Sequence, residues 1–120
     1  MLTRDHRFHG YNSLNRAYRY GDTIRDSQVS LKYYLNPRRS SYRVAVVVSR
    51  KVSKSAVTRN RIRRRIYEII RGFNLEPTKG YDLIFSVYHD DLAAIPSLEL
   101  KQIIQKHLTQ AGLINTNNKT

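Results

Sequence analysis

Between residues 59 and 73 the chain sets isoleucines at helical spacing. Wound at about 100° per residue, Ile62, Ile66, Ile69, Ile70 and Phe73 fall within one apolar sector of roughly a quarter turn. A stripe of this kind must be buried, so the segment predicts a helix laid against another layer of the fold. The same turns carry Arg59, Arg61, Arg63, Arg64 and Arg65. Asn60, Arg64, Tyr67 and Arg71 lie opposite the stripe, with Arg61 and Glu68 alongside. Glu68 reaches Arg64 or Arg71 at helical spacing for only about 0.2–0.5 kcal/mol each. The remaining guanidiniums repel one another near a helix N-terminus, where the macrodipole already disfavours positive charge. Bound anions relieve that repulsion, and guanidinium groups suit bidentate contacts to phosphate.

The charge around this helix extends the argument. From residue 27 to residue 67 there are twelve basic residues and no acid, so this third of the chain holds +12 of a net +13. A solvated basic face accounts for a run of two or three charges; an acid-free window spanning a strand, a loop and a helix points to a polyanionic partner. A length of 120 residues suits one domain, expected over 1–114 with a basic N-terminal arm, and a frayed tail over 115–120. The absence of cysteine excludes a disulfide scaffold and a Cys-based zinc site, and fits a reducing cytoplasm. No apolar stretch reaches signal-peptide length at the N-terminus, and no window approaches the roughly 20 apolar residues of a membrane span. A cytoplasmic chain with no membrane partner is expected.

The remaining segments supply the other layer. "NSLNRAYRYG" reads as a short helix capped by Asn12 or Ser13 and stopped by Gly21. "QVSLKYYL" alternates as a strand, with Val29, Leu31, Tyr33 and Leu35 on one side and Ser30, Lys32 and Tyr34 on the other. "YRVAVVVS" is apolar on both faces, which predicts a central strand. After the basic helix, "YDLIFSVY" is a further strand. "PSLELKQIIQKHLTQAG" is a closing helix, with Ser97 as its cap, Gly112 as its stop, and Leu100, Ile103, Ile104, Leu108 and Ala111 facing inward. The order is helix, two strands and room for a third, helix, strand, helix. It predicts a single two-layer α+β domain with helices packed on a mostly antiparallel sheet.

Among polyanions, RNA fits best. A DNA-binding helix-turn-helix needs a helix where residues 42–53 read as strand and loop, and a membrane-surface helix needs apolar residues that the sheet already takes. RNA single strands are bound by aromatic stacking over a basic groove, and Tyr11, Tyr18, Tyr33, Tyr34 and Tyr42 sit among the arginines. Half-buried sheet packing explains most of these tyrosines; Tyr18 and Tyr34 are expected to be exposed. No active site is legible. Asp82, Asp90 and Asp91 are expected far from the basic region, His6 and His9 have no second pair to complete a metal site, and no catalytic triad or glycine-rich phosphate loop is present. Catalytic and metal-ligating residues are both expected to be none.

At "SRKVSKSAVTRNRIRRR", residues 49–65, the sequence resembles the protein subunit of bacterial ribonuclease P, whose small basic motif falls here on Arg59-Asn60-Arg61. "RDHRF", "LNRAYRYG", "YRVAVVVSRKV", "YDLIFSV" and "AGL" follow in family order, so the resemblance covers nearly the whole chain. It implies a left-handed strand-helix-strand crossover around the basic helix, against the usual rule. It also implies an endoribonuclease subunit whose large partner RNA, working with Mg2+, removes the 5′ leader of precursor tRNA. The chain itself would bind no cofactor, and it would form a 1:1 ribonucleoprotein with that RNA. The resemblance assigns Arg50, Lys51, Lys54, Arg59, Asn60, Arg61, Arg63 and Arg64 to contacts with the catalytic RNA, and Arg65 belongs to the same cationic run. A second surface, between the first helix and the sheet, would hold the leader through Leu14, Tyr18, Lys32, Tyr34 and Arg43. A structural RNA-binding protein, such as a ribosomal component, is the alternative; it would be indifferent to a leader.

Overall fold

The computed structural model describes residues 17–39, 41–73, 75 and 80–114. The expected cap at Asn12 or Ser13, Leu14, Tyr11, His6, His9 and the 115–120 tail therefore lie outside the described residues. Helical residues 17–20 lead through Gly21 into strands β1 (Asp22–Arg25), β2 (Val29–Leu35) and β3 (Arg43–Val48). Helix α1 (Ala56–Gly72), strand β4 (Tyr81–Val87), a 3-10 turn (Asp90–Ala93) and helix α2 (Ser97–Gln110) follow. The third strand allowed for before the basic helix is β1, a four-residue piece with no apolar face.

The four strands form one sheet in the order β1-β2-β4-β3. β1 with β2 and β2 with β4 are antiparallel, while β3 runs parallel to β4, so α1 is the crossover between parallel neighbours. The α+β class and the mostly antiparallel sheet are as expected. The central place given to residues 43–48 is not: β3 is an edge strand, and β4 stands in the interior. The apolar run of β3 reflects coverage rather than two strand neighbours. Its core face is buried and Ala45 and Val47 on the other face are half-buried, while at its outer edge the Val46 amide donates to the Tyr67 hydroxyl of α1 at 3.2 Å.

One sheet face carries the core. Val29 and Leu31 of β2, Leu83, Phe85 and Val87 of β4, and Val44, Val46 and Val48 of β3 meet Ile62, Ile66 and Ile70 of α1 and Leu100, Ile104 and Leu108 of α2. The three α1 isoleucines are fully buried, each contributing about 1.5–3 kcal/mol relative to exposure. Ser55 starts α1, its Oγ accepting the Thr58 amide at 3.1 Å, which satisfies one of the orphan donors of the first turn. In α2 the first helical residue is Ser97, preceded by Pro96 with no side-chain cap, and Gly112 closes the end at φ 77°.

The register turns Ser30, Lys32 and Tyr34 of β2, Asp82 and Ile84 of β4, and Arg43 of β3 to the opposite face. There Ile84 and Ala17 are buried. Helical residues 17–20 come so close that a Cβ at Gly21 would stand 2.6 Å from the Ala17 carbonyl oxygen and 2.9 Å from Lys32 Cγ. Glycine is needed there for close approach.

Candidate nucleic-acid interface

The loop after β3 and the first turns of α1 form one basic surface. Ser49 accepts the amides of Val52 and Ser53 at 3.1 and 3.3 Å, and Arg59 Nη1 donates to the Ser53 carbonyl at 2.9 Å. Arg59 thus ties the loop to the helix. The fixed loop leaves Arg50, Lys51 and Lys54 exposed, as it does Asn60, Arg61 and Arg64 on the helix. Arg63 is half-buried and donates to Asn60 Oδ1. Arg65, expected to join the RNA contacts, is directed elsewhere: Nη1 donates to the Leu92 carbonyl at 2.7 Å and Nη2 to the Ile95 carbonyl at 2.5 Å. Lying beside the isoleucine stripe, it reaches the turn between β4 and α2 instead of solvent.

Two grooves flank the outward crest of α1. One, of about 370 Å³, is lined by Arg61, Arg64, Arg65, Glu68, Ile69 and Ser97. The other, of about 430 Å³, is lined by Asn60, Arg63, Arg64 and Tyr67. Arg64 borders both. Glu68 pairs with Arg71 at 2.9 Å in an exposed ion pair, which water and salt screen.

The second expected surface lies on the sheet face away from the core. Tyr18 is 40% exposed and Tyr34 half-buried. Lys32 Nζ donates to the Tyr18 carbonyl at 2.9 Å, tying the helical residues to β2. Tyr34 is near Tyr20, with ring centroids 6.3 Å apart and planes tilted by 37°. Tyr20 is the more open of the two tyrosines flanking Arg19, 64% exposed, with the Arg19 guanidinium 5.9 Å from its ring. Sequence reasoning did not single it out, although its place just before the helix-stopping glycine marked it as a residue without a packing face. Arg25 over Tyr88, at 4.9 Å, with Tyr88 bonded to Ser30 Oγ at 2.9 Å, forms another unanticipated cluster on this surface.

Arg43 faces this surface but is buried. Its Nε and Nη2 each lie 2.9 Å from the Asp82 carboxylate, which also accepts from Asn36 Nδ2 at 3.0 Å. This corrects two expectations. Arg43 is a bidentate partner inside the fold rather than an open leader-binding cation, and Asp82 stands against the basic region rather than far from it. The cause is strand register: Arg43 and Asp82 are direct neighbours across the parallel β3–β4 pair. Tyr42 and Tyr33 pack with the core, and burial raises the Tyr42 hydroxyl above the usual phenol range.

Among the described residues no three His, Cys, Asp or Glu side chains converge as metal ligands, and no helix is long and apolar enough to cross a membrane. The arrangement offers guanidinium and ammonium donors on one surface and tyrosine rings beside a lysine on another.

A family model described as Ribonuclease P matches residues 2–112. The ribonuclease P protein component of Pseudanabaena sp. (strain PCC 6903) is 30% identical over 118 residues, covering 98% of this chain and 100% of that one. That of Roseiflexus sp. (strain RS-1) is 31% identical over 117 residues, covering 98% and 94%. Among solved structures, a Staphylococcus aureus RNase P protein mutant, described as defective in mRNA degradation activity, superposes with a TM-score of 0.79 at 20% identity, covering 92% of each chain. The RNase P protein from Thermotoga maritima gives 0.75 at 17% identity, covering 87% and 96%. At such identities the structures speak to the fold.

Proposed function

The chain belongs to the ribonuclease P protein family, and on that premise we propose that it is the RNA-binding subunit of a tRNA-processing endoribonuclease, assisting a catalytic RNA in removing the 5′ leader of precursor tRNA. The observation that carries this reading is the division of α1. Its isoleucines are locked into the core while Arg61 and Arg64 project from the other side, continuous with Arg50, Lys51 and Lys54. A helix held this way presents cations that cannot withdraw from one another, and RNA phosphates relieve the repulsion.

In this reading, residues 50–64 bind the catalytic RNA in a 1:1 cytoplasmic ribonucleoprotein, residues 1–114 acting as one RNA-binding unit. The Tyr18, Tyr20, Lys32 and Tyr34 surface receives the leader, whose unpaired bases stack on tyrosine rings. In this reading the Mg2+ of the reaction belongs with the RNA. The chain lowers the demand for that ion by bringing fixed positive charge to a junction of polyanions.

The test is cleavage of a 5′-extended precursor tRNA at low magnesium by the protein alone, the RNA alone, and both. Correct cleavage only with both supports the proposal. Cleavage by the protein alone would overturn it, and equal affinity for RNA with and without a leader would favour the structural RNA-binding alternative.

A further inference from the structure

The two grooves beside the α1 crest differ in chemistry. The groove toward α2 contains a carboxylate, Glu68, and no aromatic ring. The groove toward β3 contains Tyr67, Asn60 and two guanidiniums, and its volume of about 430 Å³ falls in the range of small-molecule sites, roughly 300–1,000 Å³. Three of its four residues have partners within the fold. Tyr67 is half-buried, packs against the core, and accepts the Val46 amide at 3.2 Å, so the ring is fixed by the edge of β3. Asn60 accepts from Arg63 through Oδ1, which points its oxygen at its neighbour and leaves the amide hydrogens of Nδ2 for a ligand.

This groove has one polarity of hydrogen bonding. Asn60 Nδ2, the guanidiniums of Arg63 and Arg64, and the hydroxyl hydrogen of Tyr67 are all donors, and no carboxylate lines the wall. Aromatic and guanidinium planes stack unpaired bases, and donors alone select a base edge made of acceptors. Guanine presents N7 and O6 side by side, the match for an arginine fork, whereas adenine and cytosine present an amino donor that would meet other donors. We infer that the Asn60, Arg63, Arg64 and Tyr67 groove receives one unpaired guanine of the partner RNA, read through N7 and O6. The inference rests on the RNA-binding reading above and goes beyond phosphate contact to base recognition.

Dimethyl sulfate methylates guanine N7 and so reads the predicted contact directly. The full chain is bound at saturation to its cognate ribonuclease P RNA, with saturation judged by band shift. The expected result is an unpaired guanine that loses N7 reactivity with the wild-type chain and regains it with Asn60→Ala and with Tyr67→Leu. Asn60 is exposed, so its variant keeps the test valid if loss of the tyrosine harms folding. Arg61→Ala, in the opposite groove, weakens binding yet retains the protection at saturation. Replacing the protected guanine with 7-deazaguanine weakens wild-type binding about fivefold or more and has little further effect on Asn60→Ala. If saturating wild-type chain protects no unpaired guanine, or if protection survives both groove variants, the inference is wrong. Absence of any band shift would instead overturn the proposed function.

Discussion

Removing Arg61 and Arg64 together should alter RNA affinity in a way that removing Arg65 does not, though all three lie within five residues of one helix. Arg61 and Arg64 are exposed. If each makes one phosphate contact, the double Ala variant releases two fewer counterions on binding, and the slope of log K against log salt flattens by about 1.4–1.8. Over a tenfold rise in salt, wild-type affinity then falls about 25- to 60-fold more than that of the variant. Arg65 is committed to the Leu92 and Ile95 carbonyls at 2.7 and 2.5 Å. Arg65→Ala should leave the slope unchanged but strip both carbonyls of a charged donor, costing about 1.5–3 kcal/mol of stability. The assay is fluorescence anisotropy with labelled ribonuclease P RNA across a salt series, paired with urea denaturation, in which Arg65→Ala lowers the midpoint at constant m. An unchanged slope in the double variant, or a flattened one in Arg65→Ala, would refute this division of labour.

Three further outcomes follow from the same geometry. Asp82→Asn removes the buried carboxylate that Arg43 Nε and Nη2 both meet and should cost about 3–5 kcal/mol in urea denaturation, a loss far beyond that of any exposed charge. Tyr20→Leu with Tyr34→Leu should remove most of the affinity gained from a 5′ leader, about 1–3 kcal/mol per stacked base, and leave mature tRNA binding unchanged, as read by competition between leader-bearing and mature tRNA for the holoenzyme. At Asp26, burial by itself would raise the carboxyl, but the amides of Val29 and Gln28 and the charges of His107 and Lys106 hold it below the ordinary 3.8. The folded state thus binds this proton less readily than the unfolded chain, so its contribution is complete above the unfolded pKa and is lost as pH falls through the folded value. Asp26→Asn should therefore lower stability at neutral pH, with the gap to wild type closing in acid below about pH 3.8, as read by urea midpoints from pH 7 to pH 2.

The helices were legible because their apolar residues recur with the period of the structure that buries them, as the Ile62, Ile66 and Ile70 stripe does. Strand neighbours were not, because apolar patterning records which surfaces are covered and says nothing of which edges are hydrogen-bonded. Hence β3, buried on one face, half-buried on the other and bonded at its edge by Tyr67 of α1, read as central. β1 left no signal in "DTIR", since three of its four residues are exposed and its pairing with β2 is a backbone matter. His107, buried with its ring nitrogens against the Ile103 and Val29 carbonyls at 2.8 and 3.2 Å, was likewise unforeseen, because only the packing of α2 on β2 brings the Val29 carbonyl within reach.

The basic site shows the same limit in a form that matters for function. The acid-free window of +12 is one quantity in sequence, but the fold separates it into two. Arg43 is neutralised by Asp82 at 2.9 Å. Arg59, through Nη1, and Arg65, through Nη1 and Nη2, bond uncharged carbonyls, so part of each guanidinium is engaged while its charge remains. Long-range attraction of RNA depends on charge and falls with the Debye length; the salt slope depends on phosphates actually contacted. In the proposed complex Arg65, with both terminal nitrogens held by carbonyls, would contribute to the first and not to the second, whereas the exposed Arg61 and Arg64 would contribute to both. Counting arginines in the sequence gives the field that would draw RNA in, and the hydrogen bonds inside the fold decide which of them would be left to hold it.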